Sequence, residues 1–195
     1  MNTKVQALLE AVVNAVHPLG VDYAIGGALA MEAHGYARET NDVDLFAREE
    51  DRIEILRALR KQHLIVFPLD PLYYGAKFPD ETNPECRIDA MFPASEPEVS
   101  AVEWPDDARL GGLNVNVFPL SLLVIAKFYA NRAEKDPPDV KAMLDRGLFD
   151  VREVVRVLHH VDPTDAVEFE RFIDRLRQPT QPRERPVRPF RERKP

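Results

Sequence analysis

Asp42 and Asp44 stand two residues apart in "DVDLF", a run otherwise made of apolar residues. On a strand, residues i and i+2 leave the same face, roughly 7 Å apart at about 3.3 Å per residue, so the two carboxylates share one side while Val43 and Leu45 point into the core. Two acids on one face repel each other unless something positive lies between them. A hard divalent cation that prefers oxygen, Mg²⁺ by default, is the usual solution. A third acid, Asp89, lies in "RIDAMF", where strand alternation groups Arg87, Asp89 and Met91 on one face and Ile88, Ala90 and Phe92 on the other. Placed on a neighbouring strand, Asp89 completes a cage of three carboxylates. That cage permits a two-metal arrangement, with one ion activating an attacking hydroxyl and the other clamping phosphates. Upstream, Gly26 and Gly27 precede the helix-prone "ALAMEAH". Their N–H groups, with no side chains in the way, can approach a phosphate at a helix start. Metal-binding acids and a phosphate-binding corner are the two halves of a nucleoside triphosphate site.

Other chemistries fit less well. The glycine pair matches neither the G-x-G-x-x-G fingerprint nor a Walker loop, since no Gly-Lys-Ser/Thr follows. The serines, Ser95, Ser100 and Ser121, lie outside any G-x-S-x-G elbow. His159 and His160 are adjacent and diverge on a helix, and His34 reads as a residue at a helix end. Cys86 is the single cysteine, which excludes an internal disulfide framework and a Cys-rich zinc site; it reads as a half-buried strand thiol.

The elements that must position these residues follow from periodicity. Val5, Leu8, Leu9, Val12, Val13 and Val16 recur at helical spacing up to Pro18 and Gly20. "VDYAI" reads as a short buried strand before the glycine corner, and "DVDLF" as the next. "REEDRIEILRALRKQ" reads as a helix with Ile53, Leu56 and Leu59 on its apolar face. "LIVFPL", "YYGAKF" and "CRIDAMF" are further strands, and "ARLGGLNVNVF" is a hairpin turning at Gly111 and Gly112. After Pro119 only helical patterns remain, in "LSLLVIAKFYANRAEK", "PPDVKAMLDRG", "VREVVRVLHHV" and "TDAVEFERFIDRLRQ". Strands mixed with helices, then helices alone, predict an α+β fold: a core over 1–118, a helical part over 119–177 and a tail over 178–195.

The chain has 195 residues, 45% of them apolar and 30% charged, which suffices for one full core. No apolar run approaches the roughly 20 residues of a bilayer-spanning helix, and the first residues lack a cleavage signal, so no membrane and a cytoplasmic location are expected. A net charge of −7 argues against gripping nucleic acid with the whole surface. The tail, "QPTQPRERPVRPFRERKP", is the exception. Its prolines forbid helix and central strand, and its arginines make it either a solvated end or an electrostatic tether for RNA.

Taken together, "GG", eight residues of helix and turn, "RETNDVDLF" and the later "RIDAMF" resemble the minimal nucleotidyltransferases of the polymerase-beta superfamily, and within them the group related to the AbiEii toxins of bacterial toxin–antitoxin systems. The resemblance implies the polymerase-beta-like fold: a mixed sheet with flanking helices. It further implies Mg²⁺-dependent transfer of NMP from an NTP to an acceptor hydroxyl, such as an RNA or tRNA end, a protein hydroxyl or a small molecule of the aminoglycoside type, with an antitoxin protein as a possible partner. A catalytically silent module that binds nucleotide or a partner is the alternative. By position, Gly26 and Gly27 would hold the triphosphate and Asp42, Asp44 and Asp89 the metal, with Asp89 also a candidate general base. Arg38 and Thr40, just before the D-x-D strand, join the nucleotide-binding set, with a loop salt bridge as the alternative reading of Arg38. Lys127, a charge among Leu123, Val124 and Phe128 that needs a partner or a route to water, and "EKDPPD" match the family's helical Lys and Lys-Asp-x-x-Asp signature. Lys127 is then a catalytic or phosphate-contacting cation, with Asp139 positioning it at the nucleotide. One departure is Ala28, where many members carry serine; the missing hydroxyl bond is worth about 1 kcal/mol to a neutral partner and more to a charged one.

Overall fold

In the computed structural model, which describes residues 1–178, α1 (Thr3–Val16) starts where the Asn2 side chain accepts a hydrogen bond from the Val5 N–H. Such a bond satisfies one of the donors that every helix start leaves free. All six apolar residues of the predicted stripe are buried, and Gly20, at φ 67°, ends the short turn that follows. The chain continues through β1 (Tyr23–Ile25), α2 (Gly27–Ala33), β2 (Asp42–Ala47), α3 (Arg52–Lys61), β3 (Ile65–Asp70), β4 (Tyr73–Lys77) and β5 (Arg87–Met91). Then come α4 (Glu98–Glu103), β6 (Asp106–Leu110), β7 (Leu113–Val117), α5 (Leu120–Ala130), α6 (Asp136–Asp145), α7 (Val151–Val161) and α8 (Pro163–Arg177). The fold is α+β, with a mixed sheet and flanking helices as expected.

Seven strands form one sheet in the order β3-β4-β5-β2-β1-β7-β6. The site depends on its middle. β2 pairs antiparallel with β1 and parallel with β5, in a register that sets Asp44 directly opposite Asp89. Alternation along β2 buries Val43, Leu45 and Ala47 completely and leaves Asp42, Asp44 and Phe46 half-buried on the opposite face. The β6–β7 hairpin turns at Gly111 and Gly112, both at positive φ as its two-residue turn demands. β3 is an outer strand, which is where the ladder tolerates its Pro68.

One local expectation is corrected, and one helix was not anticipated. In α3 the buried stripe is Ile55, Leu56, Ala58 and Leu59, while Ile53 is 58% exposed. At 100° per residue Ile53 lies across the helix from that stripe, so its spacing to Leu56 and Leu59 misleads. The helix α4 escapes the periodic reading because its six residues bury only Ala101 and Val102.

The helices after Pro119 share one apolar core with the sheet: Leu123, Val124 and Ile125 of α5, Val140 and Met143 of α6, and Phe169 and Ile173 of α8 belong to the same buried cluster as Val5, Ile25 and Val117. Cys86 is buried just before β5. Among the described residues no helix is long and apolar enough to cross a membrane. The basic tail from Pro179 onward, with its proposed RNA-tethering role, lies outside the described residues.

Candidate active site

The D-x-D spacing and the β2–β5 register bring Asp42, Asp44 and Asp89 together, with one carboxylate oxygen of each within 4.8 Å of the others. Each carboxylate is oriented by a neighbour. The Thr40 hydroxyl donates a short hydrogen bond to Asp42 Oδ1. The Arg87 guanidinium pairs with Asp89 through Nε, and through Nη2 to Oδ2 at 3.4 Å, while Nη2 also reaches the Tyr73 hydroxyl at 3.3 Å. Among the described residues Asp44 has no such partner. Burial, then the charges of Asp42 and Asp89, push its carboxyl up to about 7, against a smaller downward pull from Arg132 and Lys127. A cluster of hard oxygen donors, one of them destabilised as an anion for want of a counter-charge, has the chemistry of a divalent-cation site. These residues therefore fit a divalent metal ion by donor type and spacing.

The glycine corner abuts this cluster. The Gly26 N–H donates to the Asp44 carbonyl at 2.9 Å, tying the corner to β2. Gly27 has φ 57°, and a Cβ built on it would stand 1.7 Å from Asp44 Oδ2. Only glycine meets both constraints. A Cβ on Gly26 would stand 2.6 Å from the Phe46 ring, so that ring fills the side of the corner turned toward β2. The first bond inside α2 runs from the Ala30 N–H to the Gly26 carbonyl. The N–H groups of Gly27, Ala28 and Leu29 thus have no acceptor within the helix. Ala28 is 3% exposed.

Lys127 and Asp139 are both buried. Lys127 Nζ lies 2.7 Å from Asp139 Oδ2 and 3.2 Å from Asp136 Oδ1. Arg38 reaches Asp139 from the other side, its Nε 3.1 Å from Oδ1, so Arg38 does form an ion pair linking the β2 approach to α6. Sequence reasoning missed Arg132 and Asp136. The Asp136 carboxylate is fully buried and accepts from the Arg132 backbone N–H, Nε and Nη2 at 2.9, 2.8 and 3.1 Å. The signal was within reach, because Asp136 is the first acid of the Lys-Asp-x-x-Asp run. His34 donates to or accepts at no acid of the site; its Nε2 lies 2.7 Å from the Phe118 carbonyl oxygen.

No protein-family model matches the chain, and no curated protein matches it either. Solved structures do. The antibiotic-resistance factor ANT(2'')-Ia in its solution structure is similar with a TM-score of 0.63 and 19% identity, over 90% of this chain and 100% of that one. A crystal structure of ANT(2'')-Ia in complex with adenylyl-2''-tobramycin gives 0.53 and 19%, over 89% and 99%. The lincosamide antibiotic adenylyltransferase LnuA, lincomycin-bound, gives 0.51 and 11%, over 72% and 94%. An antigenic nucleotidyltransferase-like protein from Paracoccidioides brasiliensis gives 0.52 and 15%, over 87% and 94%. The sheet and helices described above are thus those of the nucleotidyltransferase fold.

Proposed function

We propose that this protein transfers NMP from an NTP to an acceptor hydroxyl. One observation carries the reading: the bare main-chain corner at Gly27 is pressed against the carboxylate of Asp44, within a cluster of three acids. Phosphate-binding and metal-binding halves are contiguous, as nucleotidyl transfer requires. Asp42, Asp44 and Asp89 would hold Mg²⁺, which when bound screens the phosphates and eases ionisation of the acceptor hydroxyl. The free N–H groups beginning at Gly27 receive the triphosphate. Thr40 fixes the Asp42 carboxylate and Arg87 fixes that of Asp89, so the two are held in place before substrate arrives. Arg38 with Asp139, and Lys127 behind them, join the loop before β2 to the helices that close the nucleotide side. In the reaction the acceptor oxygen bonds the α-phosphorus and the bond to the β-phosphate breaks. Pyrophosphate departs with the electron pair, and the hydroxyl proton passes to Asp89 or to water.

The motif set supports placement near the AbiEii-like group, with an RNA or tRNA end as acceptor and an antitoxin as partner. The antibiotic adenylyltransferases of the same fold support a small hydroxylated acceptor instead. Incubation with each labelled NTP and Mg²⁺, in the presence of total RNA, purified tRNA, aminoglycosides or lincosamides, distinguishes them by which fraction takes label. Label on one acceptor that disappears in Asp42→Asn and Asp44→Asn is the expected result; equal labelling by those variants would overturn the reading. Ala28, which brings no hydroxyl to the corner, favours a second reading, a silent nucleotide-binding module. Calorimetric NTP binding without transfer to any acceptor selects it.

A further inference from the structure

The fully buried Asp136 is spent on an exposed residue. It takes three hydrogen bonds from Arg132, whose side chain is 65% exposed, and a fourth contact from the buried Lys127. An ordinary exposed i,i+4 pair on the same helix, Lys141 with Asp145, has both partners open to water. Such pairs contribute little. Burying a carboxylate is costly unless it is fully paired, so Asp136 needs its partners, and the outcome is a guanidinium clamped in one orientation. The loop supports the same placement: Asn131, at φ 43°, ends α5 in a left-handed turn and delivers Arg132 to the start of α6.

The charges in this cluster do not cancel. Lys127, Arg132 and Arg38 stand against Asp136 and Asp139, three cations to two anions, and Lys127 is 4% exposed. The surplus positive charge therefore reaches solvent through the two arginines, of which Arg132 is the more exposed. The cation cluster adjoins the acids through the loop before β2: Arg38 shares Asp139 with Lys127, and two residues on, the Thr40 hydroxyl holds the Asp42 carboxylate.

We infer that Arg132 is the side chain that binds the β- and γ-phosphates of the nucleotide, and that Lys127 is a positioning residue acting through Asp136. The inference rests on the nucleotidyltransferase reading and adds to it a residue that discriminates NTP from NMP. A guanidinium held by Asp136 through Nε and one Nη keeps its other edge for oxygens of a polyphosphate. Lys127 spends two of its three donors on Asp136 and Asp139 and is only 4% exposed, so it is less accessible to a ligand than Arg132.

The test is calorimetric titration of the full chain with Mg²⁺ and each NTP, followed by the matching NMP, for wild type, Arg132→Gln and Arg132→Lys. Arg132→Gln should weaken NTP binding ten- to a hundredfold and NMP binding less than twofold, and Arg132→Lys should fall between because it keeps the charge and loses the fork. Lys127→Met should weaken NTP binding in the same selective way, since Asp136 then holds Arg132 less firmly; with Lys127→Arg, which keeps the ion pairs, affinity should recover. If Arg132→Gln binds NTP as wild type does, or loses NTP and NMP alike, the assignment to Arg132 is wrong while the nucleotide site stands. Absence of nucleotide binding by the wild type would overturn both.

Discussion

Gly27 meets Asp44 so closely that the two positions constrain each other, and this gives a sharp test. In Gly27→Ala the new methyl must displace the Asp44 carboxylate, on top of a left-handed backbone penalty of about 1–2 kcal/mol. Gly20→Ala is the matched control: Gly20 has φ 67° and nothing within 4 Å of its Cβ position. Both variants should lose the backbone contribution in denaturant unfolding, Gly27→Ala more because of the clash, and only Gly27→Ala should lose NMP transfer; equal activity in the two would show that the corner is a mere turn. The acids themselves predict a metal response. Ligand binding at a hundred times the dissociation constant stabilises by about 2.7 kcal/mol, so saturating Mg²⁺ should raise the melting temperature of wild type. In Asp44→Asn that rise should vanish, while the same variant in EDTA at pH 8 should melt above wild type, because a desolvated charge repelled by Asp42 and Asp89 has gone. An Asp44→Asn protein that still gained stability from Mg²⁺ would refute the metal assignment. The carboxylates were legible in the sequence because a strand's period of two assigns faces without knowledge of the partner strand. Asp136 was visible only as the first acid of the Lys-Asp-x-x-Asp run, and its clamp on Arg132 was not legible, since nothing in "NRAEKDPPD" says that this acid is buried and holds the arginine four residues earlier.

At the level of elements, α5 and α6 are locked by the pairs that Lys127 makes with Asp136 and Asp139. Burial alone would raise the Asp136 carboxyl; the hydrogen bonds from Arg132 and the charge of Lys127 outweigh it and hold the group below the usual carboxylate range. With the folded value depressed, the unfolded chain takes up the proton first, so the stabilisation is complete above the unfolded value of about 3.9 and is lost as pH falls through the folded one. Asp136→Asn should therefore cost about 3 kcal/mol at pH 7, the scale of breaking a buried pair, and progressively less in acid. Urea unfolding at pH 7, 5 and 3 measures this, and a difference from wild type that stayed constant over that range would show the ion pair to be irrelevant. Elements with long patterns, such as α1 and the four helices after Pro119, were readable from apolar spacing. Strand order was not: β5 adopts its place beside β2 with two strands and a helix between them in the chain, and pairing at that separation is decided by the packing of whole faces rather than by local propensity.

For the whole molecule, the sequence suggested a core over 1–118 with a helical part appended, and the buried cluster bears on how separable they are. Leu123, Val124 and Ile125 of α5 are each at most 2% exposed, in the same cluster as Ala28 and Leu29 of α2 and Ala101 of α4. Burying one such aliphatic side chain contributes about 1.5–3 kcal/mol, so removing α5 alone would forfeit a sum comparable with the 5–15 kcal/mol that stabilises an ordinary domain. Arg38 adds a polar tie, since it lies before β2 and pairs with Asp139 of α6. The two parts are therefore expected to unfold together. Calorimetry of the full chain should give one transition whose van't Hoff and calorimetric enthalpies agree, and a fragment ending at Phe118 should lack dispersed amide resonances, because the faces of α2 and α4 that α5 covers would be left to water. Two resolved transitions, or a fragment that folds and binds Mg²⁺ by itself, would show instead that the acidic site needs only the sheet, and that the helices after Pro119 serve the nucleotide side alone.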